Sequence, residues 1–385
     1  MLNKNNNINI NINFNINIKI NIKINININN INIILLMKKK IFIIGSGWSS
    51  KGFLDKIDYN MYEIYIISNN EKFIYQPILA NYLLNDDKID FELSKKYPLI
   101  KFEKNEVIDF DFEKNQIITK FTQSTKNKNK YDYLILCHGS IINDFNIEGV
   151  KENSYYLKNN YDAEKIKESI HKLPPNSNIA IIGCGLTGSE IIGHLMDKKK
   201  YNIYAIDGLK APLNIFNNKI QDYTIKLWEK NKINLHFGSF VKKMDDKQIY
   251  LHNNKKIKYD LSIWCGGIKI HPLSVLINKK LQMNNQYGIP VNTYLKIEKL
   301  KNVYALGDCA YSGNIPNAQV AYQQGTYLAH NFNNNMKNNK DFVYQNKGQM
   351  CYIGDKKAVY QNNNIDIKGS FAFLFMKVFK LYLKI

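Results

Sequence analysis

The chain has 385 residues and a formal net charge of +20, and it contains no arginine. Its length allows two domains, or one domain inserted into another, with a substantial buried core. Frequent Asn, Ile, Lys and Tyr are typical of an AT-rich genome, so we attribute the charge to mutational bias and expect no nucleic-acid partner. The excess of lysine is better suited to attraction toward an anionic membrane surface.

Cysteine usage and hydropathy argue against further classes. The five cysteines are widely spaced without a C-x-x-C pair, which indicates a reducing compartment and argues against structural disulfides, a metal site or a redox dithiol. No run of about 18 uncharged apolar residues is present, so we expect no membrane-spanning helix.

Residues 1–36 alternate between Asn and Ile almost throughout. Such low complexity does not build a varied packed core, and we expect a disordered tail. A degenerate targeting extension is the alternative, although presequences are usually amphipathic helices rich in Arg and Ser. We take Met37 as the working start of the folded chain.

The first nucleotide-binding signal is IFIIGSGW, a buried strand followed by a glycine turn and a helix. Gly45-x-Gly47-x-x-Ser50 matches the dinucleotide fingerprint with a small residue in place of the third glycine. In this fingerprint the first glycine permits the turn, and the second lets a pyrophosphate approach the helix N-terminus. The next strand, 63–67, ends at Ser68, where such folds often carry an acid for the ribose.

The same pattern returns more completely in NIAIIGCGLTGSE, where Gly183, Gly185 and Gly188 occupy the fingerprint positions. The following strand ends in Asp207, whose carboxylate is suited to the adenosine ribose and repels a 2′-phosphate. The second site is therefore predicted to take NAD(H) rather than NADP(H), although Lys210 nearby leaves the alternative open.

The repeat extends beyond the fingerprints, because KYDYLILCHG at Lys130 is echoed by KYDLSIWCGG at Lys258. The apolar strand at Val303 has no fingerprint of its own, which favours insertion of one copy into the other. We predict an α/β fold of two Rossmann-like dinucleotide-binding domains. The predicted bounds are 37–145 and 271–335 for the discontinuous first domain, and 146–270 for the inserted second domain.

The stretch from Val303 to Tyr327 completes the first domain as a strand, a loop and a helix that begins near Ala318. Asp308, after the strand, is suited to hold flavin hydroxyls, and the helix N-terminus is suited to negative charge on a flavin ring. An ordinary Gly-Asp turn is the alternative. Two adjacent dinucleotide sites indicate hydride relay from a nicotinamide to a flavin.

GSGW, GCGLTGSE, LGDCA and above all AQVAYQQG resemble the type II NADH:quinone oxidoreductases, single-subunit flavoproteins with two dinucleotide-binding domains. The resemblance runs from Lys38 to the C-terminus and implies FAD in the first site and NADH in the second. It implies that Glu190 reaches toward the nicotinamide and flavin rings and that Gln319 and Gln323 line a quinone pocket. These three are the catalytic candidates. The expected FAD-binding residues are Gly45, Gly47, Trp48, Ser50, Ser68, Pro77, Cys137, Gly139, Asp308 and Ala318. The expected NAD-binding residues are Gly183, Gly185, Leu186, Thr187, Gly188, Glu190, Asp207 and Gly266.

The C-terminal sequence GSFAFLFMKVFKLYLKI carries Lys377, Lys380 and Lys384 on an otherwise apolar helix. We expect it to lie in the headgroup plane of a membrane and assign 336–385 to a membrane-associating segment. A core helix or a homodimer helix is the alternative.

We therefore expect a peripheral membrane enzyme that passes two electrons from NADH through FAD to a membrane quinone without pumping protons. The membrane is either the mitochondrial inner membrane or a bacterial plasma membrane, and without it the protein is cytoplasmic. One alternative is a soluble NADH-dependent reductase that resembles ferredoxin reductases or apoptosis-inducing factor. A second is a degenerate nucleotide-binding flavoprotein, which Ser50 and Ser68 motivate.

Overall fold

The computed structural model describes residues 38–85, 88–120, 129–337 and 340–383. The predictions for residues 1–36 and Met37 lie outside them. The elements up to residue 142 are β1 (Lys39–Ile44), α1 (Trp48–Leu54), β2 (Tyr62–Ser68), β3 (Lys72–Ile74), α2 (Leu79–Tyr82), β4 (Asp90–Glu92), α3 (Leu93–Lys96), β5 (Lys101–Lys104), β6 (Val107–Asp111), β7 (Gln116–Thr119), β8 (Asn129–Lys130), β9 (Tyr133–Leu136) and β10 (Ser140–Ile142).

The remaining elements follow in chain order. They are α4 (Val150–Asn153), β11 (Tyr155–Tyr156), α5 (Asn160–Lys172), β12 (Asn178–Ile182), α6 (Leu186–Lys198), β13 (Asn202–Asp207), α7 (Asn218–Lys230), β14 (Asn234–Phe237), β15 (Val241–Met244), β16 (Gln248–Leu251), β17 (Lys256–Lys258), β18 (Leu261–Trp264), β19 (Ile268–Ile270), α8 (Pro272–Lys280), β20 (Ile289–Pro290), β21 (Val303–Ala305), β22 (Ala310–Tyr311), α9 (Ala318–Asn333), β23 (Gln349–Gly354), β24 (Lys357–Gln361), β25 (Asp366–Gly369) and α10 (Ser370–Leu383).

The first sheet is parallel and has the strand order β21-β9-β1-β2-β5. Its central strand β1 is continuously apolar from Ile41 to Ile44, and all four side chains are buried. A strand in the middle of a parallel sheet is covered on both faces, which explains an apolar run without alternation.

The second sheet repeats this plan with the order β11-β18-β12-β13-β14, again parallel. Each sheet has a three-stranded antiparallel sheet beside it in sequence, β6-β7-β8 before β9 and β15-β16-β17 before β18. The two echoed sequences at Lys130 and Lys258 therefore mark the same place in two structural copies.

The chain enters the second sheet and then returns to the first. Strand β21 pairs with β9, although the whole of the second sheet lies between them in sequence. Strands β10 and β19 pair with each other where the chain leaves and re-enters the first copy. The predicted α/β class with two Rossmann-like units is confirmed.

The C-terminal part differs from its prediction. Strands β23, β24 and β25 form a third, antiparallel sheet, in which β23 packs on α6 of the second copy. Residues 349–369 of the segment predicted over 336–385 build this sheet, and the association of the segment with a membrane stays a prediction. Helix α10 packs on the sheet through Ala372 and Met376.

Helices α1 and α9 approach each other at backbone distance. A Cβ atom placed on Gly52 is 2.2 Å from the carbonyl oxygen of Tyr322, and one placed on Gly325 is 2.1 Å from that of Ser49. Only glycine permits these two approaches, so no side-chain layer separates the helices there. The tyrosine hydroxyl of Tyr322 adds a hydrogen bond of 2.9 Å to Asp55 in the residue after α1.

Candidate active site

The two glycine turns have the same geometry. Gly45 has φ +109° and Gly183 has φ +91°. A Cβ on Gly45 would lie 2.4 Å from the carbonyl oxygen of Cys137, and a Cβ on Gly183 would lie 2.6 Å from that of Cys265. Each of these cysteines follows the neighbouring strand of its sheet. A left-handed φ with this little space requires glycine. Both strand ends therefore lead into a tight turn that points the next helix at the same edge of its sheet.

The second glycine of each turn faces open space. Gly47 and Gly185 are the N-cap residues of α1 and α6, and no atom lies within 4 Å of a Cβ placed on either. Unpaired backbone N–H groups at a helix start, with room in front, are a favourable site for phosphate. Leu186 and Thr187, the first two residues of α6, are exposed there.

The third fingerprint position differs between the copies. A Cβ on Gly188 would lie 1.9 Å from the carbonyl oxygen of Gly183, so the helix and the turn touch. In the first copy the hydroxyl of Ser50 donates a hydrogen bond of 2.8 Å to the corresponding oxygen, on Gly45. Ser50 is fully buried and supports the turn, so its hydroxyl does not face the open space before the helix.

Trp48 is the residue in the first turn that most plainly fits a ligand. Its ring packs edge-on against Phe73, Tyr75 and Tyr322. Its indole N–H is buried, and within the described ranges it has no hydrogen-bond acceptor. Leaving such a donor unpaired costs about 1–3 kcal/mol, and a bound phosphate or carbonyl oxygen removes that cost.

The other residues predicted for the first site have varied positions. Ser68 lies within 3.1 Å of Ser46, oxygen to oxygen, at the strand end where an acid was missing. A Cβ on Gly139 would meet nothing within 4 Å. Cys137 is buried, which raises the pKa of its thiol to about 11 in spite of hydrogen bonds with neighbouring serines. Pro77 is exposed in a short 3₁₀ turn.

Asp308 is tied to both copies of the fold. It lies in a single 3₁₀ turn after β21, and Ser140 donates a hydrogen bond of 2.9 Å to its carboxylate. The ammonium group of Lys158, which follows β11 of the second sheet, donates to the same serine hydroxyl at 3.3 Å. The lysine of one copy thus helps to orient the carboxylate of the other.

The carboxylate predicted to bind ribose in the second site has backbone partners. Asp207 accepts hydrogen bonds from the N–H groups of Cys184 at 2.6 Å and Leu209 at 2.8 Å. It therefore holds the glycine turn against the end of β13. A Cβ placed on Gly266 would lie 2.8 Å from the ring of Trp264. Glu190 is half-buried on α6.

Gln319 and Gln323 share one face of α9, as predicted, and both contact one segment, residues 340–348, which we call the strap. Helix α9 begins at Ala318, where the side chain of Asn317 accepts the N–H of Val320. The glutamine bonds are Gln319 Nε2 to Gly348 O at 2.6 Å, Lys347 N to Gln319 Oε1 at 3.3 Å, Gln323 Nε2 to Gln345 O at 2.9 Å, and Gln345 N to Gln323 Oε1 at 3.0 Å.

A third glutamine of α9, Gln324, has a structural role that was not predicted from the sequence. Gln324 is fully buried, accepts the N–H of Gly307 at 2.7 Å and donates to Ser312 at 2.9 Å. It fixes the turn that carries Asp308 to helix α9. The adjacent pair of glutamines in AQVAYQQG was the available signal, but spacing alone does not tell which member turns inward.

All five cysteines lie within the described residues. All five are free thiols, and four of them are buried. Cys309 lies next to Asp308, and its sulfur contacts the carbonyl oxygens of Leu136 and Leu306 at 3.2 Å. Over the described residues no group of three or more His, Cys, Asp or Glu side chains is arranged to hold a metal ion.

Helix α10 presents a second apolar face. Ala372 and Met376 face the third sheet, whereas Phe371, Leu374 and Val378 are more than half exposed. The ammonium group of Lys377 lies 4.9 Å from the ring centre of Phe373. The side chains of Lys380 and Lys384, the rest of the predicted basic stripe, lie outside the described residues. Within the described part of the chain no helix is long and apolar enough to cross a bilayer.

Two parallel sheets, each ending in an open glycine turn at a helix start, define a dinucleotide-binding oxidoreductase fold with two sites. Residues 39–325 match the family described as pyridine nucleotide-disulphide oxidoreductase. The chain belongs to this family.

Individual relatives of this chain are named as NADH dehydrogenases or NADH-ubiquinone oxidoreductases. A probable NADH dehydrogenase of Dictyostelium discoideum is 27% identical over 88% of this chain and 84% of its own length. A probable mitochondrial NADH-ubiquinone oxidoreductase of Schizosaccharomyces pombe is 26% identical over 88% of this chain and 78% of its own. The NDH2 of Plasmodium falciparum, solved in complex with NADH, has a TM-score of 0.83 at 24% identity and covers 90% of this chain and 94% of its own. These likenesses confirm the resemblance predicted from sequence.

Proposed function

We propose that this protein is an FAD-dependent NADH:quinone oxidoreductase that does not pump protons. The observation that carries the proposal is the pair of open turns at Gly47 and Gly185, one in each of two copies of a nucleotide-binding sheet. The names of the relatives supply the electron donor and the acceptor class.

The first site fits FAD. A Cβ placed on Gly47, the N-cap of α1, would meet open space, and the buried N–H of Trp48 has no acceptor within the described ranges. Asp308 is oriented from behind by Ser140, which leaves its carboxylate to accept hydroxyl groups of the ligand. FAD, when bound, supplies a two-electron relay between a nicotinamide and a quinone.

In the second site we assign NADH. The start of α6 holds the pyrophosphate, while Asp207 fixes the turn through Cys184 and repels a 2′-phosphate by its charge. Glu190, on α6, is assigned to orient the nicotinamide end.

Domain assignments follow from these sites. We assign 37–145 and 271–335 to FAD binding and 146–270 to NAD binding, with the third sheet as a C-terminal addition. The pairing of β21 with β9 supports this division.

We place the acceptor at the face of α9 that carries Gln319 and Gln323, and the membrane surface at α10. Phe371, Leu374 and Val378 expose apolar side chains on one side of α10, and such a face inserts at the boundary between headgroups and acyl chains. The relatives of yeasts are mitochondrial by name, so we place the protein at a mitochondrial membrane, peripherally on the inner membrane.

Anaerobic addition of NADH to FAD-loaded protein tests the first half of the reaction. We expect the flavin absorbance to bleach and to return on addition of a short-chain quinone. A flavin that stays oxidised indicates a degenerate nucleotide-binding protein. A flavin that bleaches but returns only with a one-electron protein acceptor indicates a soluble reductase.

A further inference from the structure

The face of α9 that was predicted to meet the acceptor is bonded to the strap at positions 319, 323 and 327. Gln319, Gln323 and Tyr327 recur every four residues and therefore lie on one stripe of the helix. Tyr327 donates a hydrogen bond of 2.7 Å to the carbonyl oxygen of Lys340, and its ring packs on Phe342. The glutamines continue this contact toward residue 348.

Between the two glutamines, the spacing of the residues on α9 matches that of their partners on the strap. Four helical residues advance about 6 Å, and two extended residues advance about 6.6 Å. Gln323 bonds both backbone groups of Gln345, and Gln319 bonds the N–H of Lys347 two residues further on. The strap thus runs antiparallel to α9, and each glutamine amide replaces the partner that a neighbouring strand would offer.

The hydrogen bonds to the strap occupy both the donor and the acceptor group of each glutamine amide. Each amide donates one hydrogen bond to a strap carbonyl and accepts one from a strap N–H. If a glutamine turned to a quinone carbonyl, it would leave these backbone groups without their partners, at the cost of both bonds.

The strap is held from its other side by the third sheet. Tyr360 of β24 donates a hydrogen bond of 3.1 Å to the carbonyl oxygen of Lys347. Its ring contacts Phe375 of α10, with ring centres 5.3 Å apart. A Cβ on Gly348 would lie 2.5 Å from the Tyr360 hydroxyl, so the strap passes close over this ring. The strap therefore connects the helix that we assign to the membrane with the face of α9.

We propose that Gln319 and Gln323 are positioning residues: they hold the strap against α9, and the strap forms the wall that shapes the acceptor site. This rests on the proposed function for the identity of the acceptor. The holding of the strap itself can be measured without any quinone.

Two kinds of variant separate a positioning role from a ligand role. Gln323→Met keeps the side-chain length and removes the amide. Gln345→Pro removes the strap N–H that donates to Gln323 and leaves the side chains of Gln319 and Gln323 intact. Proline is compatible with an irregular, extended segment such as the strap. Gln286→Ala, which removes an exposed glutamine far from the strap in sequence, is the control.

The first readout is amide hydrogen exchange of the peptide 340–348 in the FAD-loaded full-length protein. We expect exchange to become roughly tenfold faster in Gln323→Met and in Gln345→Pro, as for the loss of one or two ordinary hydrogen bonds, and to stay unchanged in Gln286→Ala. Unchanged exchange in both strap variants overturns the proposal, whatever the protein does with quinone.

The second readout is steady-state kinetics with NADH and a short-chain quinone. We expect both strap variants to raise the KM for quinone roughly fivefold or more, and Gln286→Ala to leave it unchanged. If Gln323→Met impairs quinone reduction and Gln345→Pro does not, the glutamine is a direct ligand and the proposal is wrong. If wild-type protein reduces no quinone, the proposed function fails, and the exchange result still decides whether the glutamines hold the strap.

Discussion

The glycine turn of the first site offers a paired test, because its two glycines are there for different reasons. Gly45 has φ +109° and would place a Cβ 2.4 Å from the carbonyl oxygen of Cys137, whereas Gly47 has φ −87° and open space in front of it. Gly45→Ala should therefore damage the fold, and Gly47→Ala should damage only the binding of FAD.

The magnitudes follow from these geometries. A left-handed φ costs a non-glycine residue about 1–3 kcal/mol, and the backbone clash adds about 1–3 kcal/mol more. We expect Gly45→Ala to lower the free energy of unfolding of the apoprotein by about 2–6 kcal/mol. In Gly47→Ala the methyl group occupies the phosphate position, and losing about 1.5–3 kcal/mol of charged hydrogen bonding weakens FAD binding roughly 10- to 100-fold.

Chemical denaturation of apoprotein and titration of FAD by fluorescence quenching measure the two effects separately. Gly185→Ala, at the matching position of the second copy, is the control that should weaken NADH and leave FAD affinity unchanged. The reasoning is refuted if Gly47→Ala unfolds apoprotein as readily as Gly45→Ala, or if it binds FAD as tightly as the wild type.

Three further predictions concern other parts of the molecule. Ser140→Ala removes the hydrogen bond to Asp308, and we expect FAD affinity to fall about tenfold with little change in the stability of the apoprotein. Burial and the neighbouring His271 lower the pKa of His138 to about 3, below the value of 6.5 expected in the unfolded chain. As the pH falls, the unfolded state takes up a proton before the folded state does. The contribution of His138 to the free energy of unfolding should therefore be complete above pH 6.5 and decline as the pH falls toward 3. Denaturation at pH 7.5 and at pH 5 should show a smaller loss of stability in His138→Asn than in the wild type. Leu374→Glu places a charge on the exposed face of α10, and we expect less protein to float with anionic vesicles while NADH oxidation by ferricyanide persists.

Each of these has an outcome that contradicts it. Equal FAD affinity in Ser140→Ala means that Asp308 needs no support. An identical loss of stability at pH 5 in wild type and His138→Asn assigns the acid sensitivity to another group. Unchanged flotation of Leu374→Glu, measured beside Lys377→Ala, means that α10 is not the membrane surface.

Features with a local cause were predictable from the sequence. The glycine turns and the apolar central strands depend on residues within one strand, turn and helix, and the echo at Lys130 and Lys258 disclosed the duplication. The return of β21 to the first sheet followed because its strand has no fingerprint of its own.

Features that depend on contacts between distant residues were not predictable. The strap binds α9 through backbone groups that lie 13 to 29 residues from their partners on the helix, and a backbone group has no sequence signature. The third sheet was missed because its short strands preceded a strongly apolar helix that dominated the interpretation of 336–385. Asp207, which was predicted to bind a ribose, also accepts hydrogen bonds from the N–H groups of the adjacent turn, and its position at a strand end did not disclose these partners.

The contact of α1 with α9 through Gly52 and Gly325 has a consequence for how the acceptor side evolves. Since the two backbones touch, a rotation of α9 about its axis would drive a side chain into α1. The close contact on the opposite side of α9 therefore determines which of its residues face the strap. Substitutions at positions 319, 323 and 327 can change how this face holds the strap, but the face itself keeps its direction and its distance from the nucleotide-binding turn.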